Sequence, residues 1–184
     1  MSDVAMKERL LLGAFAFFIE AGTTVDGQTV SASIKPDATP LSNWPNLGAI
    51  ENSKFEREED EEEFLEPRVQ GGYDKPKIPQ VVNDYLILTT NHTSEFFHRL
   101  QMGLASPIVP GTAQAPHVET DRKITGWLKI QFRKKGGSDS FVFDWFCEMR
   151  LSELPDITNK TLRPALKFRR LASDQNTVVF PIAA

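Results

Sequence analysis

The chain has 184 residues, 40% of them hydrophobic and thirteen of them Phe, enough to pack one domain and too many for wholesale disorder. Its formal charge is −4, but the imbalance is local: outside residues 55–66, which hold eight acids and one base, twenty basic residues face seventeen acids, a net +3. A single cysteine excludes an internal disulfide framework, and no run approaches the ~20 apolar residues that a membrane-spanning helix needs.

In chain order, the first apolar run is "LLLGAFAFFI", Leu10 to Ile19. It alternates, with Phe15, Phe17 and Ile19 on one side and Ala14, Ala16 and Phe18 on the other, which predicts a strand. Lys7 and Arg9 before it and "AGT" after it also fit a secretory leader, but Glu8 among the positive charges and the period of two favour the strand. Residues 26–80 then read as an extended loop or arm, with Pro, Gly and Asn concentrated from Asp37 to Pro45 and from Pro67 to Pro79. Within the arm, Leu47 to Glu58 opens as a strand and runs into the acidic stretch "FEREEDEEEFLEP", Phe55 to Pro67. A strand is expected from Val81 to Thr90. After it, "TSEFFHRLQMGL" places Phe96, Phe97, Leu100 and Leu104 at helical spacing, with Thr93 or Ser94 as the cap and Gly103 and Pro107 as the stop.

The strongest local signal is a hairpin. In "FVFDWFCEMRL" the odd positions from Phe141 to Leu151 are apolar, and in "ITGWLKIQF" so are Ile124, Leu128, Ile130 and Phe132. A Gly136-Gly137 turn pairs residues whose numbers sum to 273. Phe132 then opposes Phe141, Ile130 opposes Phe143, Leu128 opposes Trp145, Lys129 meets Asp144 and Lys134 meets Asp139. Like falls opposite like, and charge opposite countercharge. Strands at Arg163 to Leu171 and Thr177 to Pro181 complete a mostly β architecture, a β-sandwich or partial barrel with one short flanking helix, within a single domain spanning 1–184.

Catalytic patterns are absent from the sequence. Cys147 sits on the apolar face of the hairpin, where a buried thiol acts as a small hydrophobe, and His92, His98 and His117 form no zinc spacing with it. Gly71-Gly72 and Gly136-Gly137 are turn glycines, and the acidic run lacks the interspersed Gly and Asn of a calcium loop. The basic stretches "FRKK" and "LKFRRL" mix cations with aromatics, as phosphate-binding surfaces do, but charged outer faces of strands explain them as well.

Taken in order, the long segment "NWPNLGAIENSKFE" with Trp44 and Gly48, the acidic stretch, the strand and short helix of "VVNDYLILTTNHTSEFFHRLQMGL", and the hairpin "GWLKIQF…FVFDWFCEMRL" resemble the tail tube proteins of long-tailed bacteriophages. The resemblance covers about residues 10 to 180. It implies a β-sandwich subunit that assembles into hexameric rings whose inner strands join in one ring-wide β-barrel, with rings stacked into a hollow tube. It further implies a negative lumen for the passage of double-stranded DNA, contact with tape-measure and tail-completion proteins, residence in the virion after synthesis in the host cytoplasm, and neither catalysis nor cofactor. Candidate assembly or lumen residues are Glu56, Glu58, Glu59, Asp60, Glu61, Glu62, Glu63 and Glu66, with Trp44 and the basic residues Lys167, Arg169 and Arg170. The acidic run is expected to line the lumen, to meet Lys167–Arg170 of a neighbouring copy, or to stand as a solvated loop; the neighbour contact is slightly favoured. Two other readings remain: a tail terminator or head-to-tail connector, and a monomeric binding module using exposed Trp44, Trp127 and Tyr73 as a platform.

Overall fold

A computed structural model describes residues 11–36, 44–63, 66–67, 73–74, 77–91, 93–104, 106–114, 122–134, 139–152 and 164–179. Eleven strands and one helix follow in chain order among them: β1 (Leu11–Glu20), β2 (Thr24–Val25), β3 (Gln28–Thr29), β4 (Asn46–Glu63), β5 (Glu66–Pro67), β6 (Tyr73–Asp74), β7 (Lys77–Thr90), α1 (Glu95–Met102), β8 (Ile124–Lys134), β9 (Asp139–Leu151), β10 (Ala165–Arg170) and β11 (Thr177–Val179). The fold is mostly β with one short helix. Six strands pair antiparallel in the cycle β10–β7–β4–β1–β8–β9, and β10 returns to β9, so the sheet is ring-like; β11 is added along β9. Closure of this kind removes open edges that would otherwise invite pairing with another chain.

Each strand's period of two divides its residues between the two faces of the sheet. Ala14, Ala16 and Phe18 of β1, Leu86 and Leu88 of β7, Leu128 and Ile130 of β8, and Leu166 and Phe168 of β10 all turn into the ring and form its buried core. Helix α1 plugs one end. Ser94 caps it by accepting a hydrogen bond from the Phe97 amide, and Gly103 ends it at φ 67°, the left-handed conformation in which glycine meets no Cβ penalty. Phe96 packs edge-on to Phe18 at 5.1 Å, and Arg99, almost wholly buried, forms a two-pronged ion pair with Glu20 at 2.6 and 3.0 Å.

A second core lies on the outside of β1, β8 and β9, where Ile19, Trp127 and Phe146 are covered by Val30 and Trp44. Trp127 is fully buried and its indole N–H donates to the Ser31 carbonyl at 2.8 Å. Burying one such side chain stabilises by roughly 4–6 kcal/mol as an upper bound. Under this cover the Asp144 Oδ2 accepts from Lys35 at 3.1 Å and from Lys129 at 3.4 Å, and Lys129 lies 5.1 Å from the Trp44 ring. Gly126 makes the close packing of β8 on β1 possible, because a Cβ there would fall 2.1 Å from the Ile19 carbonyl oxygen.

The hairpin register follows the expected sum for Phe132–Phe141, Ile130–Phe143, Leu128–Trp145 and Lys129–Asp144. One expected pair fails: Asp139 stands across from Arg133, not Lys134. The cause is a bulge. At that level β9 carries one extra residue between its partners, and β1 does the same on the other side of β8, so both neighbours lengthen where the hairpin bends. The Gly136-Gly137 turn lies outside the described residues.

Within 26–80, expected as an extended loop or arm, the strand expected to open at Leu47 is present and continues through the acidic stretch. Residues 24–29 form a tight hairpin, with Asp26 at φ 49° and Gly27 at φ 78°, and residues 46–63 form the longest strand of the protein. Backbone pairing accounts for this: β1 pairs with β4 as far as Ile50, and β7 pairs with it from Ile50 to Glu63, a ladder that a loop lacks. Residues 37–43, and most of 64–76 outside the short β5–β6 pair, lie outside the described residues.

Candidate functional site

Only the first part of β4 belongs to the ring. β1 accompanies β4 through Ile50, and β10 accompanies β7 from Thr89 to Tyr85. From Asn52 to Glu56 β4 is an edge beside β7, which β10 still flanks, and from Arg57–Asp84 out to Glu63–Lys77 β4 and β7 are paired as strands only with each other among the described residues. The acidic residues 56–63 therefore lie on a paired strand and not in a loop. That strand is one of the two in a ribbon that leaves the sheet at the end opposite α1.

At the root of the ribbon the two faces carry different chemistry. On the outer face the register brings Glu56, Tyr85, Arg169 and Glu148 into one transverse row. Lys54 bonds Glu56 at 2.7 Å, and Lys167 lies over the Tyr85 ring at 4.0 Å, reaching Glu58 at 3.5 Å and Glu56 at 3.8 Å. The hydrogen bond from Lys54, with help from Lys167, holds the Glu56 carboxyl below the usual carboxylate range against the opposing effect of burial. Burial raises the Tyr85 hydroxyl, and the neighbouring Glu58 carboxylate adds to the shift. Farther along the row, Glu148 is buried and takes Arg150 at 2.6 Å, Arg169 at 3.3 Å and Lys123 at 3.4 Å.

On the inner face the apolar filling gives out. Phe55 is 60% exposed, with its ring edge-on to Trp145 at 5.8 Å and tilted to Phe143 at 6.3 Å. The next level is ionic: Asp84 pairs with Arg57 at 2.9 Å and with Arg170, whose guanidinium lies 5.7 Å from the Trp145 ring. An open groove of about 720 Å³ runs beside it, lined by Asp84, the stretch from Arg170 to Asp174, and Asn176.

Of the three expected basic partners, Lys167 meets the acidic run within the same chain, while Arg169 and Arg170 meet acids outside it. Lys167 meets Glu56 and Glu58, Arg169 meets Glu148, and Arg170 meets Asp84. Glu59, Asp60, Glu61, Glu62 and Glu63 continue β4, and Glu66 opens β5 opposite Asp74. Sequence reasoning missed Lys54, Asp84, Tyr85 and Glu148 as members of the site. For Lys54 and Tyr85 the signal was available in the period of two, which places 54, 56 and 58 on one face across from 83, 85 and 87. Trp44 is only 2% exposed and Trp127 is fully buried, so neither forms part of an exposed aromatic platform. That correction follows from the second core, which needs both rings as its filling. Cys147 is buried, and burial pushes its thiol far above the ordinary range. Among the described residues no group of three or more His, Cys, Asp or Glu is placed to hold a metal ion, and no helix is long and apolar enough to cross a membrane.

No family model matches this chain, and no curated protein matches it. Several chains of solved structures do. One is the tube-terminating cap of an anti-feeding prophage, solved by cryo-EM, which superposes with a TM-score of 0.35 at 9% identity over 86% of this chain and 100% of that chain. A superposition that loose carries no functional argument.

Proposed function

We propose that this protein is a structural, non-catalytic subunit of a phage tail tube: it assembles into six-membered rings that stack into a hollow conduit for double-stranded DNA. The observation that carries the reading is the β4–β7 ribbon. A two-stranded ribbon is marginal in water without a third strand or a packed face, and this one continues well past the last strands that flank it. Its edges and its exposed Phe55 suit a fold completed by other copies of itself. Head-to-tail stacking of rings is a heterologous contact that does not close, so it propagates as a filament. Acidic residues repeated around each ring would hold DNA phosphates off the wall within a screening length of ~8 Å at physiological salt. Tape-measure and tail-completion proteins are the partners this reading implies.

The test is negative-stain electron microscopy of the purified protein over a concentration series. Hollow tubes with a lumen wide enough for duplex DNA are expected. Rings that form but never stack would move the assignment to a tail terminator or connector. A protein that stays monomeric at every concentration, also when tube fragments are added as seeds, overturns the reading.

A further inference from the structure

Residues 30–36 form a strap over the second core, and little of its hold is backbone ladder. Among the described residues, Val30 bonds to Gly22 and Thr23, and Ser31 and Ile34 bond to each other. The rest is side-chain bonding. The Trp127 indole donates to the Ser31 carbonyl at 2.8 Å, and Lys35 Nζ donates to Asp144 at 3.1 Å and to Thr177 at 3.2 Å. Three further bonds come from one turn. Ser173 donates to the Ala32 carbonyl at 2.6 Å, while the Gln175 side chain donates to the Ser33 carbonyl at 2.7 Å and accepts from the Lys35 amide at 2.8 Å. A cover tied down this way opens at a lower free energy than the ring beneath it.

The turn itself, residues 171–176, is an insertion in a strand lane. From Arg170, opposite Cys147, to Thr177, opposite Asp144, the chain takes seven steps while β9 takes three, so four residues bulge out. The bulge is cross-braced. Asn176 accepts from the Phe146 amide at 2.7 Å and donates to the Leu171 carbonyl at 2.9 Å. The Leu171 amide donates to the Phe146 carbonyl at 2.9 Å, and the Gln175 amide donates to Ser173 Oγ at 3.1 Å. The turn therefore moves as one piece. Its leading end is held by the ribbon: Arg170 pairs with Asp84, the first residue of β7 that β10 no longer flanks, and Asp84 also takes Arg57 of β4 at 2.9 Å.

We infer that residues 171–176 are a two-sided latch that couples the ribbon to the strap. On one side the Arg170–Asp84 pair sets the position of the turn. On the other, Ser173 and Gln175 hold residues 30–36 closed over Trp127. The coupling belongs to the single chain and is independent of the tube reading. A contact that draws Arg170 or Asp84 away at the ribbon frees the strap, and freeing the strap weakens the grip on the ribbon, because coupling between two sites is reciprocal.

The test follows hydrogen exchange of the Trp127 indole N–H by NMR in the full chain, with the core amides of β1 and β8 as internal standards. Arg170→Gln and Asp84→Asn each remove the ribbon grip, from the two sides of the pair; Gln175→Ala removes the strap grip. All three are expected to speed indole exchange at least about fivefold while the core amides keep their rates. Arg170→Gln should add little on top of Gln175→Ala, since the two act on one latch. Lys54→Gln removes a ribbon ion pair that does not touch the turn and should leave the indole unchanged. Acceleration by Gln175→Ala but by neither ribbon variant makes the turn a plain anchor for the strap and overturns the coupling. Acceleration by Arg170→Gln without Asp84→Asn assigns the effect to the Arg170–Trp145 contact and overturns it too. No acceleration by Gln175→Ala, full additivity in the double variant, or equal acceleration of the core amides each overturn it as well.

Discussion

β4 and β7 each belong to two structures at once, and their two halves obey different rules. In the ring half, Leu47, Leu86 and Leu88 are buried, flanking strands cover both edges, and the chain supplies everything the strands need. Farther out β1 has already left β4, Phe55 stands exposed across from Leu86, the next levels are ionic, and beyond Tyr85 β10 has left β7 as well. The backbone ladder runs through both without interruption apart from two register shifts. Regular pairing alone therefore does not say whether a strand is finished. Burial of its faces does.

This comparison can be broken at the ring. Phe168→Ala removes a fully buried ring from the core and is expected to cost about 3–5 kcal/mol, read as a lower urea midpoint with an unchanged slope. The outer core should respond nearly as strongly. Asp144→Ala leaves Lys129 buried without its carboxylate and is expected to cost about 3 kcal/mol by the same measurement. Ser94→Ala removes the cap of α1 and should cost about 1 kcal/mol.

At the ribbon, the isolated chain should barely notice. Phe55→Ala is expected to change monomer stability by less than about 1 kcal/mol, because most of that ring already meets water. A loss as large as that of Phe168→Ala would make the ribbon part of the ring after all. The smallest effect is electrostatic. Because the folded Glu56 carboxyl titrates below its unfolded counterpart, its ion pairs contribute above the unfolded value and are lost as pH falls through the folded one. Lys54→Gln should move the Glu56 titration, followed by NMR, upward toward the ordinary carboxylate range.

Legibility in the sequence followed the same division. The β8–β9 register was readable to the residue because both strands alternate cleanly, and it failed only at a bulge, which composition does not mark. Ser94 and Gly103 announced the helix ends. The acidic strand was harder. A run such as "EREEDEEE" has no apolar period, so nothing local distinguishes a solvated loop from a strand whose pairing is dictated by β7 far along the chain. Asp26-Gly27 was a turn signal passed over inside a segment read as an arm. Trp44 and Trp127 looked like surface aromatics because the cover that buries them is made by residues distant in sequence. Tertiary context supplied what local pattern lacked.

The double bonding of β10 has a consequence for biosynthesis. β10 is hydrogen-bonded to both β7 and β9, so the ring closes only when residues 165–170 have been made. Until then a nascent chain holds β7 and β9 as open edges, with Leu86, Leu88 and Met149 awaiting Leu166 and Phe168. Closure joins segments widely separated along the chain, a long-range step of the kind that slows folding. A polypeptide stalled before that point would display adhesive edges and a charged ribbon together, so the strand that closes the ring is also the one that makes the folded chain safe to accumulate.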